Sequence, residues 1–271
     1  MAGGAERSDE HGNLRPPDRR DLKTIGDLAQ SILADRAHPR FQPRSLDAEA
    51  PREVFIAAAD AIGARYARDG WRYARSGPHL TKRFGRAAAK AHIGSSHNNL
   101  AGEVVLLHVA ITITDKRHRD WRAAVGLTDW EQVSARQLGN LADPHRWIEW
   151  NLADRARRPA TIADIIDTID ELGMPYVQAV TAAIDADPFD AGALYGLVDP
   201  DVEAEYRVRF GDLPGAETAI RTYLSQSNDG MRDSFRRALG EYRRGSGLHL
   251  QPSSVGAKLA RLVLTADLQV D

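Results

Sequence analysis

From residue 71 onward the side chains alternate between apolar and polar, and this two-residue period restricts the fold more than any other feature of the chain. Within residues 71–86, two short alternating segments flank Ser76-Gly77-Pro78, a combination typical of a β-hairpin. Residues 90–97 and 103–114 are predicted to form two further strands, because a turn-rich segment separates them. Four strands without an intervening helix predict an antiparallel sheet.

The fourth of these strands has two chemically different faces. On one face the alternate residues are all apolar: Val105, Leu107, Val109, Ile111 and Ile113. The other face carries His108, Thr112 and Thr114. Because a strand directs successive side chains to opposite sides, one face of the sheet is expected to pack on helices, and the other is expected to be at least partly exposed to water.

Helical spacing of apolar residues precedes and follows the predicted sheet. Residues 22–37 and 54–68 are expected to form N-terminal helices. Thr161 with Asp164 resembles a capping box, and Gly173 with Pro175 is expected to end the helix that it starts. Further helices are predicted over residues 176–184, 202–209, 217–225, 231–243 and 254–268.

These elements predict an α+β protein. It has N-terminal helices, an antiparallel sheet of about four strands and a helical C-terminal region. We expect a flexible tail over residues 1–20, an α+β domain over 21–158 and a helical region over 159–271 that packs on it. The tail is expected to be flexible because it is rich in charge, glycine and proline.

Bulk composition limits the class of protein. The chain of 271 residues has 42% hydrophobic and 27% charged residues, which is typical of globular proteins. It has no cysteine, so a disulfide scaffold and thiolate metal sites are excluded and a reducing cytoplasm fits best. The longest mostly apolar run, residues 104–113, is half of what a membrane-spanning helix needs. We therefore expect no membrane span, no signal peptide and a cytoplasmic location.

Charge is distributed unevenly along the chain. Between residues 159 and 206 there are eleven carboxylates and no lysine or arginine. Between residues 65 and 90 there are eight lysines and arginines against Asp69 alone. A formal net charge of −2 therefore hides two opposed local fields, which can steer charged partners, although solvation alone also accounts for such runs.

Two surfaces are predicted from this distribution. The partner-binding surface is the basic hairpin with its interleaved aromatic residues: Trp71, Arg72, Tyr73, Arg75, Lys82, Arg83 and Arg86. The acidic surface lies on the helix after residue 159 and comprises Asp164, Asp167, Asp170 and Glu171. The acidic surface could dock on the hairpin of the same molecule, on that of a second copy, or on a cationic partner.

An alternative site is predicted at the polar strand face, where a pocket would contain His92, Ser95, Ser96, His97 and His108. A hydroxyl beside an imidazole is the beginning of a catalytic triad. A nucleophile elbow, however, needs glycine on both sides of the serine, and only Gly94 is present. A polar strand end that leads into a turn explains the same residues.

Metal and cofactor motifs are not found. The pairs Asp185/Asp187 and Asp199/Asp201 could bind a hard cation, but both lie beside proline at predicted helix boundaries, where aspartate caps helices. The glycines of residues 245–247 lack the lysine that a phosphate-binding loop requires. The sequence predicts no metal site and no cofactor.

Residues 54–185 resemble an uncharacterised bacterial domain family of unknown function. The motifs that carry the resemblance are Gly70-Trp71-Arg72-Tyr73, Ser95-Ser96-His97-Asn98, residues 104–113, Trp121-Arg122, Trp147-Ile148 and Met174-Pro175. This resemblance implies a fold and supplies no activity.

Segregated charge without a catalytic motif predicts an interaction or regulatory protein, for example of the immunity or inhibitor type. A protein is the expected partner, nucleic acid is a second candidate, and a homo-oligomer is compatible with the charge pattern. The alternative is an enzyme or a nucleic-acid-processing factor that uses the polar pocket.

Overall fold

A computed structural model describes residues 45–46, 49–127, 131–246, 252 and 254–270. The tail predicted over residues 1–20 and the helix predicted over 22–37 lie outside the described residues. The second predicted N-terminal helix is confirmed as α1 (Pro51–Ala67).

Six strands form one antiparallel sheet. They are β1 (Arg72–Ala74), β2 (His79–Phe84), β3 (Ala87–Ser95), β4 (Leu106–Asp115), β5 (Gln132–Gln137) and β6 (Trp150–Asn151). Strands β1 to β5 follow one another in chain order, and β6 pairs with β4 beside β5. The predicted α+β fold and its four-strand meander are thus confirmed, and two short strands extend the sheet beyond the prediction.

The two faces of the sheet differ as the alternation predicts. In β3 and β4 every second residue is buried, including Ala89, Ile93, Leu107 and Ile111. These residues form the inner face, which packs on helices. Because the register aligns apolar positions of neighbouring strands, their burial on one side is continuous and stabilises the sheet by removing apolar surface from water.

Helix α1 packs on the inner face beneath β1 and β2. Trp71 lies between Tyr66 and Phe84, with ring centroids 6.4 and 6.0 Å away. The ring of Tyr73 lies against the helix backbone at Gly63, where a Cβ would be 2.5 Å from the Tyr73 Cγ. Only glycine permits this close approach, so α1 can lie directly against the first hairpin.

Two further helices cover the rest of the inner face. They are α3 (Arg158–Thr168) and α4 (Met174–Asp185), with α2 (Lys116–Ala124) lying earlier in the chain after β4. The prediction that Gly173 and Pro175 end the helix is wrong, because a π-helical turn over Ile169–Gly173 carries the chain from α3 into α4. The turn accommodates Pro175, which lacks a backbone N–H, at the start of α4.

The predicted capping box at Thr161 is also wrong. Helix α3 begins earlier, at Arg158, and the Thr161 hydroxyl donates to the backbone carbonyl of Arg157. Asp164 instead accepts a hydrogen bond of 2.6 Å from the Trp150 indole N–H. Both side chains therefore serve contacts within the helix or with β6, rather than a helix start.

Four C-terminal helices form a second layer: α5 (Pro200–Arg209), α6 (Leu213–Gln226), α7 (Asp229–Arg243) and α8 (Val255–Thr265). The hydrophobic cluster of the sheet runs through α3 and α4 as far as Tyr206. A second cluster joins Leu127 with residues of α5 to α8. The division of the chain at residue 158 stays a prediction.

Candidate functional site

The face of the sheet opposite the helices is largely open to solvent. Its positions on β1 to β5 follow from the strand register: Arg72, Ala74, His79, Thr81, Arg83, Ala88, Lys90, His92, Gly94, Leu106, His108, Ala110, Thr112, Thr114, Ala135 and Gln137. We call this surface the open face. None of these positions is acidic, and Gln137 alone is buried among them.

Three cations of the open face make no contact with a carboxylate among the described residues. Arg72 and Arg83 are exposed and Lys90 is half-buried, and within the described residues none of the three side chains has a hydrogen bond or an ion pair. Arg72, Thr81 and Lys90 are aligned across three strands, and Arg83 lies two residues further along β2. These charges are therefore available to an anionic partner.

The other members of the predicted basic surface are engaged inside the molecule. Trp71 is only 4% exposed, so it is a core residue and the prediction that it contacts a partner is wrong. Tyr73 and Arg75 both donate to the buried carboxylate of Asp60. Lys82 donates to the backbone carbonyl of Asp69.

Arg86 is held at the end of the same hairpin. Its backbone N–H donates to the Asp185 carboxylate at 2.8 Å, and its guanidinium lies 3.9 Å from the same group. The predicted basic surface therefore splits in two. Only Arg72 and Arg83 remain on the open face, where the register adds Lys90, a residue outside the predicted set.

The predicted acidic surface divides in the same way. Asp170 accepts a hydrogen bond of 2.8 Å from the Tyr66 hydroxyl and lies 3.4 Å from the Arg65 guanidinium. With Asp164 bound to Trp150, two of the four carboxylates take part in contacts between this helical segment and the rest of the fold. All four residues are exposed, but Asp167 and Glu171 make no such contact within the described residues. The basic and acidic stretches thus partly neutralise each other, and Asp167 and Glu171 lie on the helical side of the sheet.

Aromatic rings lie beside the cations of the open face. His79 and His92 are directly opposite each other on β2 and β3, with ring centroids 6.2 Å apart. The Nδ1–H of His79 donates to the Gly77 carbonyl at 2.7 Å, which fixes the orientation of its ring. Burial first, and then the electrostatic effects of Lys90 and His79, lower the pKa of His92 from its ordinary value. The lowered pKa disfavours the charged form of the His92 ring.

His108 continues the row of rings onto β4. It is paired with Gly94 on β3, and a Cβ on Gly94 would collide with the imidazole, so the ring lies over the glycine backbone. The Trp147 ring lies 5.8 Å from the His108 ring and is 62% exposed. A Glu149 carboxylate oxygen lies 3.7 Å from Nδ1 of His108. Trp147 and Glu149 belong to the segment before β6, which forms a rim along the open face.

The Ser95–His97 segment forms a polar turn at the end of β3. The Ser95 hydroxyl accepts a hydrogen bond of 2.8 Å from Asn99, and the Ser96 hydroxyl accepts one from the backbone of Asn98. A hollow of about 310 Å³ at this turn is lined by Pro51, Arg52, Phe55, Ser95, Ser96 and Asn99. The lining contains neither His92 nor His97, so the structure does not bring the predicted serines and histidines into one pocket.

Sequence reasoning did not include His79, Lys90 or Trp147 among the site residues. His79 and Lys90 lie on the same face of the sheet as Arg72 and His92. The sequence does not show this, because the shared face follows from the strand register. Trp147 precedes a strand of two residues, and no periodic signal marks that strand. The aromatic run Trp147-Ile148-Glu149-Trp150, which is compatible with a short edge strand, was the available indication.

A second group of ionisable side chains lies at the junction of the two layers and is almost completely buried. Glu205 accepts hydrogen bonds from Arg122 at 2.6 Å and from His118 at 3.0 Å. Tyr206 donates to Asp115 at 2.9 Å while its ring stacks on His118, with centroids 4.0 Å apart. We call these five residues the junction network.

The junction network is closed to solvent, since His118 is 0% exposed and Glu205 4%. None of the cavities with a described lining includes His118 or Glu205. It joins α2 and β4 of the sheet layer to α5 of the helical layer. Its charged groups are paired with one another, which is the usual requirement for buried charges, although Nδ1 of His118 has no hydrogen-bond partner among the described residues. We therefore assign the network to the stability of the layer contact.

The junction network predicts a loss of stability in mild acid. Burial lowers the pKa of His118, against the raising effect of the Glu205 hydrogen bond. Unfolding returns the imidazole to its ordinary pKa near 6.5, so the unfolded chain binds a proton first as the pH falls. The contribution of neutral His118 to the free energy of unfolding is fully present above pH 6.5. Below pH 6.5 this contribution falls by at most about 1.4 kcal/mol per pH unit.

Urea unfolding of the wild type and of His118→Gln between pH 7.5 and 5.5 measures this effect. Burial also raises the pKa of Asp201, which favours the folded state as the pH falls. Because both proteins contain Asp201, this effect cancels when the free energy of unfolding of His118→Gln is subtracted from that of the wild type at each pH. The difference is expected to shrink as the pH falls. The exposed His97, replaced in the same way, should leave the wild-type pH profile unchanged. Parallel curves for the wild type and His118→Gln would contradict the assignment.

Within the described part of the chain, three or more histidine, cysteine, aspartate or glutamate side chains do not come together in an arrangement that could hold a metal ion. None of the described helices is both long and apolar enough to cross a membrane. Three carboxylates of the Asp pairs have other contacts, as Asp185 binds Arg86, Asp199 binds Arg136 and Asp201 faces Lys258 at 3.5 Å.

Comparisons of the chain with protein-family models, with curated proteins and with solved structures gave no match. The resemblance to an uncharacterised bacterial domain family over residues 54–185 therefore stays a prediction. The case for function consequently depends on the geometry of the open face.

Proposed function

We propose that this protein is a binding protein that takes an anionic partner on the open face of its sheet. The observation that carries the proposal is the pairing pattern of the basic hairpin. Arg75 and Arg86 have internal carboxylate partners, whereas Arg72, Arg83 and Lys90 have no carboxylate partner among the described residues. Three like charges on a face that the described helices leave uncovered attract anions and repel cations.

The shape of the open face supports binding rather than catalysis. Its central positions carry small side chains such as Ala88 and Ala110, so the surface is broad and shallow. Catalytic sites usually require a concave pocket with titratable groups within hydrogen-bonding distance of one another. The hollow at Ser95 and Ser96 has no lining residue that could act as a general base. An immunity-type or inhibitor-type role stays a prediction, since nothing in the geometry favours it over other kinds of binding.

Retention on immobilised heparin, a polyanion, tests the proposal. The variant with Arg72→Gln, Arg83→Gln and Lys90→Gln is expected to elute at a lower salt concentration than the wild type. Arg75 and Lys82 are left intact because they hold the fold together. Salt screens the attraction of heparin for the wild type and for the variant alike. The difference in affinity between the two proteins should therefore be largest at low ionic strength.

A matched control removes the same charge from another surface. Arg236, Arg237 and Arg243 are exposed on α7, and their replacement by glutamine changes the net charge equally. If the open face is the binding surface, this variant should elute close to the wild type. A larger loss of retention in the α7 variant than in the open-face variant would contradict the proposal.

A further inference from the structure

The rings of the open face form an oblique line across the sheet. His79 and His92 are opposite each other on β2 and β3, His108 on β4 lies two residues from Ala110, which is opposite His92, and Trp147 lies beyond His108 on the rim. Ring centroids are 6.2 Å apart at the first pair and 5.8 Å apart at the last. These intervals exceed the roughly 3.4 Å rise between bases along one strand of a duplex. They therefore suit planar groups that have been splayed apart.

The cations run beside this line of rings. Lys90 is two residues from His92 on β3, and Arg72 is aligned with Thr81, two residues from His79 on β2. Two residues of a strand span about 7 Å, so a row of positive charge flanks the row of rings. A ligand that carries planar groups along one edge and negative charges along the other matches both rows.

Small residues keep the rings accessible. Gly94 lies directly beneath the His108 ring, and Ala110 is the cross-strand neighbour of His92. Larger side chains at these positions would fill the space above the sheet and separate the rings from a ligand. The exposed indole of Trp147 extends the platform, although its ring is inclined by 46° to that of His108.

We propose that the anionic partner is a single strand of nucleic acid, whose bases stack on the line of rings while its phosphates face Arg72, Lys90 and Arg83. This inference rests on the proposed function, which it makes more specific. Aromatic platforms beside basic grooves bind single strands without reading sequence. A duplex keeps its base faces stacked inside, and the aspartate and glutamate side chains of an acidic peptide have no aromatic rings that could stack on this platform.

Fluorescence anisotropy with a labelled oligothymidylate of about twelve nucleotides tests the inference, since single-strand sites span about 4–16 nucleotides. The single strand should bind at least about tenfold more tightly than a duplex of the same length. His92→Ala and Trp147→Ala should each weaken binding about tenfold, and His92→Phe should retain it because a ring remains. Binding should also quench the fluorescence of Trp147.

Two controls match the ring variants. His97→Ala removes an exposed histidine outside the line, and Tyr195→Ala removes an aromatic side chain that is 70% exposed on the other layer. Both should bind the oligonucleotide like the wild type. Replacing Arg72, Arg83 and Lys90 with glutamine should reduce the slope of log Kd against log salt by about 2, given about 0.7 per phosphate contact for single strands.

A labelled polyglutamate peptide separates failure of this inference from failure of the proposed function. If the peptide binds through the three cations and the oligonucleotide does not, the nucleic-acid inference is wrong and the binding function stands. Equal affinity for single strand and duplex, or full binding by His92→Ala and Trp147→Ala, would also overturn it. If neither probe binds and heparin retention does not depend on the three cations, both proposals are wrong.

Discussion

Replacing Glu205 by glutamine is expected to lower the free energy of unfolding by about 3–5 kcal/mol. The Glu205 carboxylate is buried and is the shared acceptor for Arg122 and His118. Burial alone would raise its pKa, but the hydrogen bond from His118 and the charge of Arg122 hold the pKa below its usual range. The amide keeps the size of the side chain and removes its charge, so the Arg122 guanidinium would lose the carboxylate that it contacts.

Chemical denaturation at neutral pH, followed by circular dichroism, measures the loss. Glu131→Gln is the matched control, because Glu131 also pairs with an arginine, Arg119, but on the surface. Surface ion pairs contribute little to stability, so this variant should unfold at the wild-type denaturant concentration. If Glu205→Gln were as stable as Glu131→Gln, the junction network would not stabilise the contact between the layers.

Replacing Gly63 by alanine is expected to destabilise the protein by about 1–3 kcal/mol, although alanine is the better helix former. The new Cβ would lie 2.5 Å from Cγ of Tyr73 and 2.8 Å from both neighbouring ring carbons. The Tyr73 ring cannot move away without disturbing its hydrogen bond to Asp60. Helix α1 would therefore have to separate from the first hairpin.

Gly240→Ala is the control, and its expected effect on the free energy of unfolding has the opposite sign. Gly240 lies inside α7, and the nearest atom to its added Cβ would be the end of the Arg244 side chain at 3.5 Å. Without a clash, the substitution should stabilise the protein by about 0.5–1 kcal/mol. A cycle with Tyr73→Ala tests the cause, since Gly63→Ala should cost less when the ring is absent. If Gly63→Ala destabilised the wild type and the Tyr73→Ala variant equally, the clash with the Tyr73 ring would not be the cause.

The fold could be predicted where a local sequence pattern, such as the two-residue period of a strand, indicates the secondary structure. Strands β2 to β4 alternate over six to ten residues, and a two-residue period of that length shows in the sequence without knowledge of any partner. Strand β5 could not be found in this way. Its sequence, QVSARQ, has Val133 buried at a register shift and Ser134 buried through contact with the Tyr176 hydroxyl. Its strand character depends on pairing with β4.

Helix ends were harder to predict than helices. Gly173 and Pro175 are both strong breakers in isolation, and their combination indicated a stop. In the structure the inner face of the sheet supports the chain through the π turn, where a Cβ on Gly173 would lie 2.7 Å from Ile111. Packing against β4 therefore outweighs the local preference to end the helix.

The candidate site was predicted only in part. Composition located the basic hairpin, and Arg72 and Arg83 do lie on the open face. Composition could not separate them from Trp71 or Arg75, because successive residues of a strand point to opposite sides and a turn can change the phase. The histidines were expected in a pocket with Ser95, but the register places His92 opposite His79 and His108 opposite Gly94 on the open face.

The sequence by itself determined the α+β class, the four-strand meander and the presence of opposite charge runs, because period and composition are local properties of a chain. Tertiary structure alone decided which charges remain available. Arg65 meets Asp170 and Arg86 meets Asp185 across separations of 105 and 99 residues, and no local pattern encodes such pairs. Those contacts pair Arg65 and Arg86 with carboxylates inside the molecule, whereas the strand register places Arg72, Arg83 and Lys90 on the face of the sheet opposite the helices. The open face therefore exists only in the folded protein.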